Sequence, residues 1–217
     1  MTRIKQRSPN MRKFFMQNTK RHHALCAAAL LLLGLSAQAA TLVDTGTPNG
    51  NAVGAYALDN TDFIAGQFSL TQRVDVTAIQ AHVLGAAVGE TFTLALYADN
   101  TLHLPGNLLF SAQARVAAEG WNGLASLTGW TLAPGLYWVG VEVGAADTAS
   151  SALLDRGAPT LLARTAFNDG STYVATVSPM SFGLRLDATV VAVPEPAQWV
   201  LMAAGLFAMT LVRRSAR

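Results

Sequence analysis

Asp59-Asn60-Thr61-Asp62 and Asn168-Asp169-Gly170-Ser171 are the stretches where side-chain oxygens crowd most closely in this chain. Carboxylate and amide oxygens so spaced can take a hard cation such as Ca²⁺, which makes Asp59, Asp62 and Asp169 candidate ligands. Asp, Asn and Gly also build turns with no metal, and no twelve-residue ligand loop is present. Turn chemistry is therefore the plainer reading, and no cofactor is expected. A glycosidase would need two acids about 5–9 Å apart across a cleft. Of Glu90, Glu119 and Glu142, spacing singles out no pair. His82 and His103 stand on separate stretches, and His82, alternating with Ala81 and Val83, reads as a strand residue facing water. No Gly-x-Ser-x-Gly elbow, His-Glu-x-x-His helix or phosphate-cradling glycine loop occurs. No catalytic residue is assigned, and a non-enzymatic role is expected. Trp121, Trp130, Tyr137 and Trp138 cluster, and exposed indoles can stack on sugar faces. If Tyr137 faces a core, Trp138 on the same strand faces away from it, beside Glu142, as a sugar platform would. For Trp121 and Trp130, plugging the ends of a sandwich is the preferred alternative.

The elements that must carry these residues are short strands. Phe92, Leu94 and Leu96 alternate with Thr91, Thr93 and Ala95; Tyr137, Val139, Val141 and Val143 with Trp138, Gly140 and Glu142; Phe182, Leu184 and Leu186 with Gly183, Arg185 and Asp187. Period two is the mark of a half-buried strand. Val74 and Val76 begin another whose phase slips to Ile79, Ala81 and Val83, as a β-bulge would make it do. Residues 63–70 and 172–177 add two more. Residues 108–119, LLFSAQARVAAE, can be drawn as strand or helix. Turn clusters intervene at 47–51, 99–100, 104–107, 133–135 and 168–170. The expected fold is all-β, an antiparallel β-sandwich of jelly-roll type over residues 40–192, flanked by a helix at each end.

Those ends say where the chain goes. Residues 1–23 carry seven cations and no acid, residues 24–35 are mostly apolar, and Ser36-Ala37-Gln38-Ala39-Ala40 follows. This is the form of a secretory signal peptide over residues 1–39, with signal peptidase recognising Ala37 and Ala39 and cutting before Ala40. Met11 and Met16 are alternative starts. Cys26, the single cysteine, lies in the leader, so the exported part has no thiol chemistry. At the far end Val193-Pro194-Glu195-Pro196 is followed by the uncharged residues 197–212 and a basic cap at 213–217 containing Arg213, Arg214 and Arg217. Sixteen residues make a helix about 24 Å long at about 1.5 Å each, slightly short for a bilayer core of about 30 Å. Snorkelling arginines and local thinning make up the difference, and the cap predicts a cytoplasmic C-terminus. Between the ends stand five arginines, no lysine and twelve acids, a balance of −7. Nucleic acid, which selects basic surfaces, is excluded as a partner.

Val193-Pro194-Glu195-Pro196, the short apolar stretch and the Arg213-Arg214 cap closely resemble the PEP-CTERM sorting signal of Gram-negative bacteria. The resemblance implies recognition by an exosortase, a membrane-embedded cysteine transpeptidase, cleavage near the Pro-Glu-Pro, and a host that makes exopolysaccharide. Residues 91–143, with TFTLALYADN, LPGNLLFS and WTLAPGLYWVGVEV, resemble the small β-sandwich domains called choice-of-anchor modules, from which no catalytic residue carries over. The combined expectation is an exported surface or matrix protein, held in the inner membrane until processed and linked to exopolysaccharide or biofilm. A carbohydrate-binding module for the cell's own polysaccharide is the alternative, and a secreted hydrolase the third.

Overall fold

The computed structural model describes residues 39–50, 53–59, 62–191, 202–206 and 214. They belong to two units, Ala37–Val191 on one hand and Met1–Ser36 with Ala192–Arg217 on the other. In the latter, residues 202–206 and 214 are helical. Among the described residues no helix is long and apolar enough to cross a membrane, and the expected leader helix and most of 197–212 lie outside them.

The unit Ala37–Val191 is built of strands β1 (Ala39–Asp44), β2 (Tyr56–Leu58), β3 (Phe63–Leu70), β4 (Val74–Leu84), β5 (Thr91–Asp99), β6 (Pro105–Arg115), β7 (Gly120–Ala125), β8 (Thr131–Leu132), β9 (Gly135–Glu142), β10 (Ala152–Leu154), β11 (Thr165–Asn168), β12 (Tyr173–Ala175) and β13 (Leu184–Val190). They form two antiparallel sheets. One runs β1-β13-β4-β10-β2, with β7 and β8 also on β4; the other runs β12-β11-β3-β9-β5-β6. The all-β sandwich read from the alternation is therefore the fold.

Period two sorts the side chains. Phe92, Leu94 and Leu96 of β5, Val139 and Val141 of β9, and Leu184 and Leu186 of β13 meet in one core cluster with Ile64, Ile79 and Phe182. The phase slip in β4 is a bulge at Thr77: Asp187 pairs with Ala78 but Ala188 with Val76. One extra residue moves the buried set from Val74 and Val76 to Ile79, Ala81 and Val83 without turning the strand over. Gly66 leaves room for the core itself, since a Cβ there would lie 2.3 Å from Leu162 Cδ1. The ambiguous stretch 108–119 is strand as far as Arg115, paired along β5. The turn expected at 104–107 comes earlier, at 100–104, and Pro105 opens β6. An edge strand tolerates that proline because its missing N–H was not needed in the ladder.

Candidate functional site

The outward face of the sheet containing β9 holds a carboxyl, Glu142, that is buried and raised above its ordinary value. Trp138, Gly140 and Glu142 point away from the core along β9, beside Tyr97 of β5 and Tyr173 of β12. Glu142 Oε1 accepts hydrogen bonds from Tyr97 OH, at 2.5 Å, and Tyr173 OH, at 2.7 Å, and the two rings meet edge to face with centroids 5.6 Å apart. Gly140 makes this possible: a Cβ there would stand 2.7 Å from Glu142 Oε1 and 3.1 Å from Tyr173 OH. Burial pushes the Glu142 carboxyl above its ordinary value, and the charge of Asp147 adds to that; the two phenol hydrogen bonds oppose the rise without cancelling it. Burial first, and then the charge of Glu142, raise both phenols as well. A carboxyl with a raised value and two oriented donors is the kind of group that marks sites rather than random surface. It can accept hydrogen bonds from hydroxyl ligands or hold a proton. Its neighbour Asp147 is engaged by Gly144 N, Thr93 Oγ1 and Gln113 Nε2, each at 2.9 Å.

Trp138 sits next to this group but is not a platform. It does face away from the core, yet it is fully buried. Turn 100–104 covers it, with Leu104 packed against the small cluster of Ala65, Trp138 and Ala166. Asn100 folds that turn by accepting from Leu102 N (2.8 Å) and Leu104 N (3.1 Å), and His103 takes a positive φ of 55°. Asp99 fastens it by accepting from Trp138 Nε1 (2.7 Å) and Gln67 Nε2 (2.9 Å), with His103 Nδ1 at 2.8 Å. Burial pushes Asp99 up, but the hydrogen bonds from Trp138, His103 and Gln67, with the His103 charge, together hold it below its ordinary value. The sugar contact expected of Trp138 is thereby corrected: the alternation was right about its face and silent about the turn that covers it.

Trp121 and Trp130 take separate places. Trp130 packs against the core, stacked on Phe110 with centroids 5.2 Å apart, as a plug would. Trp121 lies half-buried on the other sheet under Arg185, whose guanidinium carbon is 3.9 Å from the ring centroid. Its edge meets His82, which is only 7% exposed rather than facing water as the alternation implied. His82 Nδ1 is 3.0 Å from Oδ2 of the fully buried Asp155, without an aligned hydrogen bond; neither that nitrogen nor Asp155 Oδ1 has a hydrogen-bond partner. Gly183 admits the imidazole, since a Cβ there would fall 2.5 Å from His82 Cβ. Sequence reasoning missed Asp155 altogether because its partner lies on a different strand, and it missed the role of Glu142 for the same reason.

The three candidate Ca²⁺ ligands do approach one another. Burial raises Asp62 above its ordinary value, and the charges of Asp59 and Asp169 add to the rise. Asp62 N donates to Asp59 O at 3.2 Å, and Asp169 accepts from Ser171 Oγ at 2.9 Å, which is turn chemistry. Among the described residues no group of three or more His, Cys, Asp or Glu is arranged to hold a metal. Ala39 and Ala40 are in β1; Arg214 is helical. Ala37, Val193, Pro194, Glu195, Pro196 and Arg213 lie outside the described residues.

No family model matches the chain. No curated protein matches it either. Among solved structures, one similar chain comprises the cysteine protease and lectin-like domains of Cwp84, a surface layer associated protein of Clostridium difficile, at 15% identity and a TM-score of 0.44. The match covers 61% of this chain and 33% of that one, so this chain spans about a third of the length of that relative.

Proposed function

We propose that this chain is an exported, non-enzymatic surface or matrix protein, delivered by a cleaved leader and sorted by an exosortase through its tail. The observation that carries the reading is the extent of the compact unit, Ala37–Val191. Its limits fall within a few residues of the expected cut before Ala40 and of Val193, so leader and tail can be removed without removing a strand core. The first and last strands are also neighbours, with Ala39 opposite Thr189. The chain therefore enters and leaves this unit at one end of one sheet, which suits a domain delivered and held from one side of a membrane.

The test is processing in the native host. A chain with Pro194, Glu195 and Pro196 all changed to Ala should fold yet persist as an unprocessed, membrane-held precursor, and deletion of the host's exosortase should give the same precursor. Normal processing in the exosortase-deficient host would falsify the sorting reading. A reporter after Arg217 should report cytoplasm, and one inserted at Asn49-Gly50 the periplasm.

A second reading, binding of the cell's own polysaccharide, is favoured by the Tyr97–Glu142–Tyr173 group on an outward sheet face. Binding of the purified chain to the host's exopolysaccharide should weaken on Tyr97→Phe. If the exopolysaccharide does not bind, or Tyr97→Phe leaves binding unchanged, this reading is wrong while the sorting reading stands.

A further inference from the structure

Thr93, Gln113 and Asp147 form a cluster that neither sorting nor sugar binding calls upon. Thr93 of β5 pairs with Gln113 of β6, within a stretch of unbroken register from Thr91 opposite Arg115 to Leu96 opposite Phe110. Val116 follows directly on that stretch; its N donates to Glu90 O and its O accepts from Gly89 N, both at 2.8 Å. Alternation back from Val116 makes Thr93 and Gln113 a non-hydrogen-bonded pair, the kind whose side chains stand closer. Asp147 reaches over them from the turn after β9. Its Oδ2 accepts from Thr93 Oγ1 and its Oδ1 from Gln113 Nε2, each at 2.9 Å. Gln113 Nε2 also donates to Ala146 O at 3.1 Å, which fixes the plane of the amide. The carboxylate is itself held in place, since Gly144 N donates to Oδ2 and Asp147 N to Gly144 O, both at 2.9 Å. Thr148 stitches the turn to β5: Thr91 N donates to Thr148 Oγ1 at 3.0 Å and Thr148 N to Thr91 Oγ1 at 3.1 Å. One fixed carboxylate therefore holds a hydroxyl on one oxygen and an amide nitrogen on the other. That is how a base stands between a nucleophile and its leaving group.

We propose that Thr93 and Gln113 join in an intramolecular ester, a covalent cross-link that locks strand β6 to β5. Asp147 Oδ2 takes the hydroxyl proton as Thr93 Oγ1 bonds to Gln113 Cδ. The Cδ–Nε2 bond then breaks, the Asp147 carboxyl gives its proton to Nε2, and ammonia leaves. Nothing is oxidised or reduced, and Asp147 ends as the carboxylate it began as. Gln113 is exposed, so ammonia passes directly to solvent, while Thr93 is half-buried and β-branched, which hinders water from reopening the ester. Composition narrows the choice of cross-link. Between Ala40 and Val193 there is neither cysteine nor lysine, so a disulfide and a lysine amide are both excluded, and a hydroxyl with a side-chain amide remains. The place also suits a lock. Strand β6 ends its sheet, and its register against β5 shifts between residues 105 and 110, so its regular hold on β5 is the part from Phe110 onward, where Gln113 lies.

The test is the mass of residues 74–115, which trypsin releases from the full chain in one piece because Arg73 and Arg115 are successive cleavage points. This peptide should be lighter than its sequence by one ammonia, and fragmentation should give no backbone ions from breaks between residues 93 and 113. Thr93→Val should restore the unmodified mass, and Thr93→Ser, which keeps a hydroxyl, should retain the loss. Asp147→Asn removes the base and should slow the conversion in freshly made chain by about 100-fold or more. A parent peptide at its unmodified mass would overturn the proposal. So would an ammonia loss that persists in Thr93→Val, which is the result expected if Asn100 or Asn107 of the same peptide had cyclised instead.

Discussion

Glu142 shows how burial and hydrogen bonding compete at one carboxyl. Its folded value is raised, so its protonated form stabilises the fold fully below the ordinary carboxylate range, and that contribution is lost as pH rises through the raised value. Glu142→Gln keeps an acceptor for both phenols and removes the titration. The difference in melting temperature between parent and variant should therefore grow in favour of the variant as pH rises through that window, and a pH-independent difference would disprove the account. Trp138→Ala provides a second test at this scale. Because the indole is fully buried and donates to Asp99, its loss should cost about 3–5 kcal/mol in denaturant unfolding, against the neutral cost expected of an exposed sugar platform. Gly140→Ala should destabilise by about 1–3 kcal/mol, because the new methyl would displace Glu142 and Tyr173 together.

At the scale of elements, the pairing of β7 with β4 depends on one close approach. A Cβ on Gly123 would lie 2.0 Å from Ile79 O and 2.7 Å from Gln80 Cα, backbone atoms that cannot swing aside. Gly123→Ala should cost roughly 3 kcal/mol or more, and hydrogen exchange should quicken first along β7. Uniform exchange loss across both sheets would show that β7 is not separately dependent on this contact. The buried His82 and Asp155 also belong to this scale. Asp155 N donates to His82 O, His82 N to Gly183 O and Gly183 N to Asp155 O, at 3.0–3.3 Å, so three segments are tied by backbone around the imidazole.

For the whole molecule, the compact unit predicts independent folding. A chain of residues 40–192 has no cysteine and contains the complete core cluster. Expressed without either end, it should be soluble, strand-rich by circular dichroism and cooperative in melting, with no effect of reducing agent on its transition. Aggregation with no cooperative transition would mean that the ends contribute to the fold. The two ends of this unit are adjacent through the β1–β13 pair, so the edge strand β6 lies on the other sheet, away from that pair.

Most of the long strands were legible where apolar residues alternate with polar or small ones. β4, β5, β9 and β13 show that period two in sequence, and even the bulge at Thr77 could be read, since an extra residue must shift the phase of everything after it; β6, as long as β4, was ambiguous with a helix because its residues show no clear alternation. The short strands β2, β8, β10 and β11 were not legible, because two to four residues are too few to express a period. The signatures of leader and tail were likewise local, arising from charge and apolar length alone. The environments of the polar residues were different. Which face Trp138 takes follows from its own strand, but that turn 100–104 closes over it depends on Gln67 and Asp99 arriving from two other strands. Burial of Glu142 required Tyr97 and Tyr173, and burial of His82 required Asp155, Gly120 and Gly183. Alternation along a strand is a one-dimensional signal about inside and outside, whereas the environment of a carboxyl or an indole is set by neighbours distant in the chain, and only the tertiary structure brought them together.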